Sequence, residues 1–359
     1  MKTIYFLLLS LIFYSCNDMH DVTTPTLLPE TPGETGRLFV LSEGLFNQNN
    51  SRLSCFNFGD RTMESDYFTF INKRGLGDTA NDMKRYGNKL WIVVNVSSNV
   101  EVLDLSSSKS LKQIPMFNQD AVARQPRQIA FSKGKAYVCS FDGTVTRIDT
   151  TTLKIEKVIS CGRNPDGIAV ANGKLYVSNS GGLDPGFANT VSVIDIVSFS
   201  EIKKITVGIN PSRLEADSQG DVYMVSRGNN ASIKARWQRI NSQTDELAQT
   251  FDNLPAVNFT IRNDTAYLYN YDFTDQSYSV QTFDCKTEHL IPDQFITDQT
   301  NIKCPFGIYA HPVNGNIYIT DAQNYTVKGD LLCFNRKGKL LYKVESVGLN
   351  PNAVVAVEK

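Results

Sequence analysis

One motif recurs along this chain about every 45 residues, and that recurrence constrains the fold more than any other feature. The clearest copy runs Pro165-Asp166-Gly167-Ile168-Ala169-Val170, then Lys174-Leu175-Tyr176-Val177-Ser178-Asn179, then Thr190-Val191-Ser192-Val193-Ile194-Asp195. Other copies start at Pro126, Pro211, Pro255 and Pro305. One without the proline starts at Ala80, and one at Pro351 holds only its first strand. Each full copy offers four short alternating strands, and about 40–45 residues per four-stranded unit is the period of a propeller blade. Residues 37–42, 52–56 and roughly 63–70 supply the second, third and fourth strands that the last copy lacks. The expected fold is therefore all-β: a seven-bladed β-propeller of four-stranded blades. Its C-terminal strand joins the N-terminal blade and closes the ring, which removes open sheet edges.

Within the repeats, Tyr137, Tyr176, Tyr223, Tyr267 and Tyr318 occupy matching positions, which predicts packing between blades. Asp104, Asp149 and Asp195 each end a third strand, where a carboxylate caps the following turn.

Residues 1–15 are outside this pattern. Lys2 followed by an apolar run over residues 4–14, too short to span about 30 Å of hydrocarbon, reads as a signal peptide. It ends Phe13-Tyr14-Ser15-Cys16, so Cys16 is the expected lipid anchor. Residues 16–36 carry Pro25, Pro29 and Pro32 with little apolar content and read as a flexible tether. The propeller is assigned to residues 37–359.

A blade's second-to-third-strand loop and its connection to the next blade share one face of the ring. On that face lie residues 43–50, 179–189, 227–236, 270–278 and 321–329, all longer than a turn requires. The opposite face carries mostly minimal turns. Loops in excess of their geometric need carry function. The candidate ligand-binding residues there are Phe46, Asn47, Asn49, Phe187, Asn229, Trp237, Tyr271, Phe273, Tyr278, Asn324 and Tyr325. Arg74, Arg124, Arg163 and Asn164 join them from the inter-blade connections. Aromatic faces, amides and a few guanidiniums suit a large neutral or amphiphilic ligand.

Other chemistry has little material. The formal net charge of −1 and a pI near 6.3 argue against nucleic acid as a partner. Three histidines, His20, His289 and His311, stand far apart, and no nucleophile elbow, zinc-protease motif or phosphate loop occurs. No catalytic residue, metal site or cofactor is therefore assigned. Cys55, Cys139, Cys161, Cys285, Cys304 and Cys333 are an even number in an exported chain, which allows disulfides, but they sit largely within strand patterns and are expected as free, mostly buried thiols.

The repeat Pro-x-Gly-Ile-Ala-Val…Leu-Tyr-Val-Ser-Asn…Val-Ser-Val-Ile-Asp resembles the YncE-like seven-bladed propellers. Two segments resemble a narrower group of surface lipoproteins of gut Bacteroidetes, which includes the BtuG-type cobalamin-binding proteins. They are Leu38-Phe39-Val40-Leu41-Ser42-Glu43-Gly44-Leu45-Phe46 and Gly77-Asp78-Thr79-Ala80-Asn81-Asp82-Met83 with Tyr86-Gly87-Asn88-Lys89-Leu90-Trp91. The resemblance implies a non-enzymatic protein, lipid-anchored in the outer membrane and facing outward. It would bind cobalamin or another corrinoid as transported ligand and pass it to a TonB-dependent transporter. It does not carry over any ligand contact residue by residue. A scaffold or adhesion module for glycan or protein is the alternative, and a propeller lyase or lactonase ranks below it.

Overall fold

The computed structural model describes residues 26–27, 30–31, 34–182, 186–229 and 231–358. Seven antiparallel sheets are arranged as the blades of a propeller. Six are formed by consecutive four-strand runs, beginning with the inner strands Ala80–Tyr86, Pro126–Ser132, Pro165–Ala171, Pro211–Ala216, Asn258–Arg262 and Pro305–Ala310. These are blades 2 to 7. Blade 1 is composite. Its inner strand is Pro351–Val357, paired with Arg37–Ser42 from Arg37↔Val357 to Ser42↔Pro351. The chain thus closes its own ring, and all seven blades are four-stranded apart from a short addition to blade 1.

The burial pattern explains why these segments are strands. A blade packs against a neighbour on each side, so its inner strands lose both faces to protein and read as nearly continuous apolar runs. Lys89–Val94 is buried from Leu90 onward, whereas the outer strand Ser200–Thr206 is exposed except at Ile205. The core is seven apolar layers, one between each pair of blades. The layer that includes Leu38, Val40, Phe56, Tyr318, Leu331 and Val354 joins blades 7 and 1. Tyr137, Tyr176, Tyr223 and Tyr318 are fully buried in these layers, and Tyr267 nearly so.

The glycine of the repeat has a steric cause. A Cβ at Gly167 would lie 2.2 Å from the Ser212 carbonyl oxygen, and one at Gly307 2.5 Å from that of Asn352. Neighbouring inner strands approach too closely there for any side chain. The third-strand aspartates cap turns: Asp149 accepts from the Thr151 and Thr152 amides at 3.0 and 2.7 Å, and Asp195 from Ser198 at 2.7 Å.

Two features depart from the simple repeat. The fourth strand expected over residues 63–70 is only Thr62–Glu64, and the chain then forms a short helix, Tyr67–Asn72. The helix puts Phe68 and Tyr67 into the layer between blades 1 and 2, beside Phe39 and Leu76. An extended strand would leave that apolar gap unfilled. Within the stretch read as a tether, Thr26–Leu27 pairs with Thr62 and Met63, and Glu34 is buried. Its carboxylate accepts from Asn316 at 2.7 Å and Asn314 at 3.2 Å. Cys16 and the signal peptide lie outside the described residues.

Candidate functional site

The long loops of blades 6 and 7, with the connection between those blades, enclose a cleft of about 550 Å³. Five of the sequence candidates meet there: Tyr271, Phe273, Tyr278, Asn324 and Tyr325. Gln276, Asn301, Lys303 and Gln323 share the walls, and sequence reading missed them. Asn301 and Lys303 belong to the connection over residues 292–304, whose length was the available signal.

Local hydrogen bonds set this geometry. Asp272 and Asp275 take the amides of Thr274 and Ser277, both at 2.8 Å, and fold the blade 6 loop so that it presents Phe273. The Asn324 carbonyl accepts from the Thr326 and Val327 amides at 3.1 and 3.2 Å, so that side chain largely shapes its own turn. The Tyr278 hydroxyl donates to the Thr300 carbonyl and accepts from the Ile302 amide, each at 3.1 Å, bracing the connecting segment. Asp321 accepts from the amides of Lys303 and Cys304, both at 2.9 Å, and of Gln323 at 2.8 Å. The Cys304 thiol donates to the Tyr325 hydroxyl at 2.9 Å. Burial, and then this thiol, raises the Tyr325 hydroxyl above the ordinary phenol range, and burial raises the Cys304 thiol. Both stay protonated at neutral pH.

The other candidates do not converge on the cleft. Trp237 is fully buried between blades 5 and 6 against Tyr223, Phe259 and Phe283, so its assignment to the ligand face is corrected. It sits inside the strand Arg236–Asn241, opposite Val225, where alternation turns it inward. Arg74 is engaged with the buried Glu101 at 2.8 Å and lies over the Phe68 ring. Arg124 pairs with Asp142 at 2.7 Å. Asn47 and Asn49 adopt left-handed backbone and donate their amides to Asp78 at 3.1 and 2.7 Å. Asn164 donates to the Phe141 carbonyl at 3.2 Å, and Asn229 caps its own loop through the Ala231 and Ile233 amides. Arg163 lies against its own blade's loop, where a Cβ at Gly181 would meet its Nη2 at 2.8 Å. Phe187 is half-buried in that loop. Phe46 stands at a loop tip, 69% exposed.

A second cluster, not foreseen, lines the axis of the ring. Arg127 Nε donates to Asp166 at 2.8 Å and its Nη1 to Asn81 at 2.7 Å, while Arg227 reaches the other Asp166 oxygen at 3.2 Å. Glu43 accepts from Asn81 at 2.9 Å and from Asn352 at 3.0 Å. These groups are ringed by protein, yet the Arg127 and Arg227 side chains keep 20% and 44% of their surface accessible. Asn352, Asn81, Arg127 and Asp166 lie on the first strands of blades 1 to 4 and Arg227 follows the second strand of blade 5, which places the cluster around the axis of the ring, within reach of water. Burial alone would raise the Asp166 carboxyl, but the Arg127 and Arg227 guanidiniums more than offset it and hold it below the usual carboxylate range. Burial raises Glu43 despite Arg127 and the two amides. The signal for this ring was the variable residue after each repeat start: Asn81, Arg127, Asp166 and Asn352 all occupy it.

Among the described residues, no group of three or more His, Cys, Asp or Glu could hold a metal ion, and no helix is long and apolar enough to cross a membrane. All six cysteines of residues 37–359 are free; five are buried and Cys161 is partly so.

A family model described as a domain of unknown function (DUF5074) matches residues 36–348, and the chain belongs to this family. No curated protein matches. Among solved structures, a chain of the mitotic checkpoint complex is similar at 11% identity and a TM-score of 0.58, covering 97% of this chain and 89% of that one. Kuenenia stuttgartiensis hydrazine synthase matches at 16% identity and 0.56, covering 70% and 74%. The Neurospora crassa Pan2 WD40 domain matches at 10% and 0.55, covering 73% and 78%. At these identities the likeness is one of fold.

Proposed function

We propose that this DUF5074 propeller is a cell-surface lipoprotein that binds a nutrient ligand on its long-loop face. The proposed ligand is cobalamin or another corrinoid, which the protein hands to an outer-membrane TonB-dependent transporter without chemical turnover. The observation that carries the binding reading is the cleft between blades 6 and 7. Four aromatic side chains, several amides and a single lysine converge there on the face with the excess loops. Such a lining favours a ligand with broad apolar surfaces and many amide or hydroxyl groups. The corrinoid assignment rests on the sequence resemblance to BtuG-type proteins, and so do the Cys16 anchor, the outer-membrane location and the transporter.

One observation favours a second reading, a module for a protein partner. Phe46, Phe117, Val122, Ile233, Phe273 and Val327 all stand exposed on loops of this face. The opposite face exposes Val197 and Val313 on its turns, and an apolar surface shared among several long loops fits a partner better than such isolated side chains do.

Calorimetric titration of the full chain carrying Cys16→Ser with cyanocobalamin tests the ligand. Saturable one-to-one binding with unchanged cyanocobalamin recovered afterwards supports the receptor reading. Absence of heat at micromolar protein, with no shift in melting temperature, removes corrinoids and moves the protein-partner reading to first place.

A further inference from the structure

We infer that the cleft between blades 6 and 7 is an aromatic clamp that takes a flat, uncharged nitrogen heterocycle between Phe273 and Tyr325. The inference rests on the reading of this face as a ligand-binding surface and specifies which part of a ligand enters the cleft.

Phe273 and Tyr325 come from loops of different blades. Their rings are inclined by only 26°, with centroids 6.4 Å apart. A pair in direct contact in the same protein, Tyr86 and Phe131, stacks at 4.6 Å and 9°. A flat ring placed between two aromatic faces needs about 7 Å, at about 3.5 Å per contact. Outward movement of the exposed Phe273 makes that room. A puckered sugar ring is thicker and would require more.

Each ring of the pair also has an edge-on aromatic neighbour. Tyr271 meets Phe273 edge-on at 4.9 Å and 86°, and Phe306 meets Tyr325 edge-on at 5.8 Å and 82°. The Cys304 thiol holds the Tyr325 hydroxyl. Tyr325 also has left-handed backbone, φ 67°, which a bulky residue keeps only when its surroundings impose it. Phe273 is 65% exposed, so most of its ring stands in water despite these contacts.

Charge and polarity narrow the class. Lys303 lines the cleft, and Asp272 and Asp275 lie on the loop that carries Phe273. Lys234 stands 3.8 Å from Asp272, so two cations offset the two loop carboxylates and leave little net field to recruit an ion. Gln276 and Asn301 offer both amide donors and acceptors to the edge of a ring. A neutral heteroaromatic edge needs that combination. In a corrinoid, the part that fits is the base of the nucleotide tail, not the macrocycle.

The test compares cyanocobalamin with dicyanocobinamide, which lacks the nucleotide base, on wild type, Phe273→Ala and Tyr325→Ala. Stacking of one base predicts about 5- to 150-fold tighter binding of cobalamin. Phe273→Ala should erase that advantage without changing the melting temperature, since Phe273 is mostly in water. Equal binding of the two corrinoids, or an advantage that survives Phe273→Ala, overturns the clamp and leaves the corrinoid reading standing. If neither corrinoid binds, adenosine decides through tyrosine fluorescence. Quenching that is lost in Phe273→Ala supports the clamp while the corrinoid reading falls, and no quenching overturns both. Methyl glucoside competing for the cleft overturns the flat-ring class.

Discussion

Replacing Arg127 should destabilise the propeller in a way that depends on pH with an unusual sign. The guanidinium bonds Asp166 and Asn81 and lies 4.5 Å over the Phe141 ring. Its removal leaves Asp166, only 6% exposed, with Arg227, whose own side chain is 44% exposed. Breaking a fully buried pair costs about 3–5 kcal/mol. Water in the channel screens part of that, so Arg127→Ala should cost about 2–4 kcal/mol. In wild type the Asp166 carboxyl is depressed, so its contribution is present above its unfolded value and fades as pH falls through the lower folded value. Without Arg127, burial becomes the dominant influence and raises the group. The sign then reverses: the variant is helped by protonation and loses stability as pH rises. The gap between wild type and Arg127→Ala should therefore be wider at about pH 7.5 than at about pH 4.5. Equilibrium urea unfolding of wild type, Arg127→Ala, Asp166→Ala and the double variant measures this. The double variant should cost about 1–3 kcal/mol less than the sum of the singles. A cost under about 0.5 kcal/mol, a gap independent of pH, or strict additivity would refute the reasoning.

Three further outcomes are expected. Burial pushes the thiols of Cys55, Cys161 and Cys285 up to about 12, so a thiol reagent near neutral pH should label none of them in the native protein within minutes. All six cysteines of residues 37–359 should react in denaturant, and rapid native labelling would contradict the burial. Glu34→Ala removes bonds to the buried Asn316 amide and the half-buried Asn314 amide; about 1–3 kcal/mol should be lost and protease should cut before residue 37 faster, whereas an unchanged cleavage rate would show that the segment is not anchored there. Trp237→Ala opens a cavity between blades 5 and 6 and should cost about 3–5 kcal/mol while leaving ligand affinity intact, so an affinity loss without a stability loss would place that ring back at the site.

The blade count and ring closure could be read from the sequence because a blade repeats. Each copy faces the same packing problem, so the proline at the repeat start, the buried tyrosine and the third-strand aspartate recur in several blades, while Pro-x-Gly is confined to Pro165–Gly167 and Pro305–Gly307. The division into a long-loop and a short-loop face followed from strand order alone. The helix Tyr67–Asn72 was not legible, because only the gap between blades 1 and 2 decides that Phe68 turns inward from a helix. Trp237 was misplaced because it directly follows the loop over residues 227–236: the strand already runs from Arg236, and one position in an alternating strand separates the exposed Arg236 from the buried Trp237.

What the sequence by itself determined is the architecture, because local alternation and a repeat period are written into consecutive residues. What only the tertiary structure decided is which loop residues meet. Phe273 and Tyr325 are 52 positions apart in the chain, and Arg127 reaches Asp166 and Asn81 across blade boundaries. Those juxtapositions depend on the rotation from one blade to the next around the axis, a quantity that no local stretch of sequence encodes.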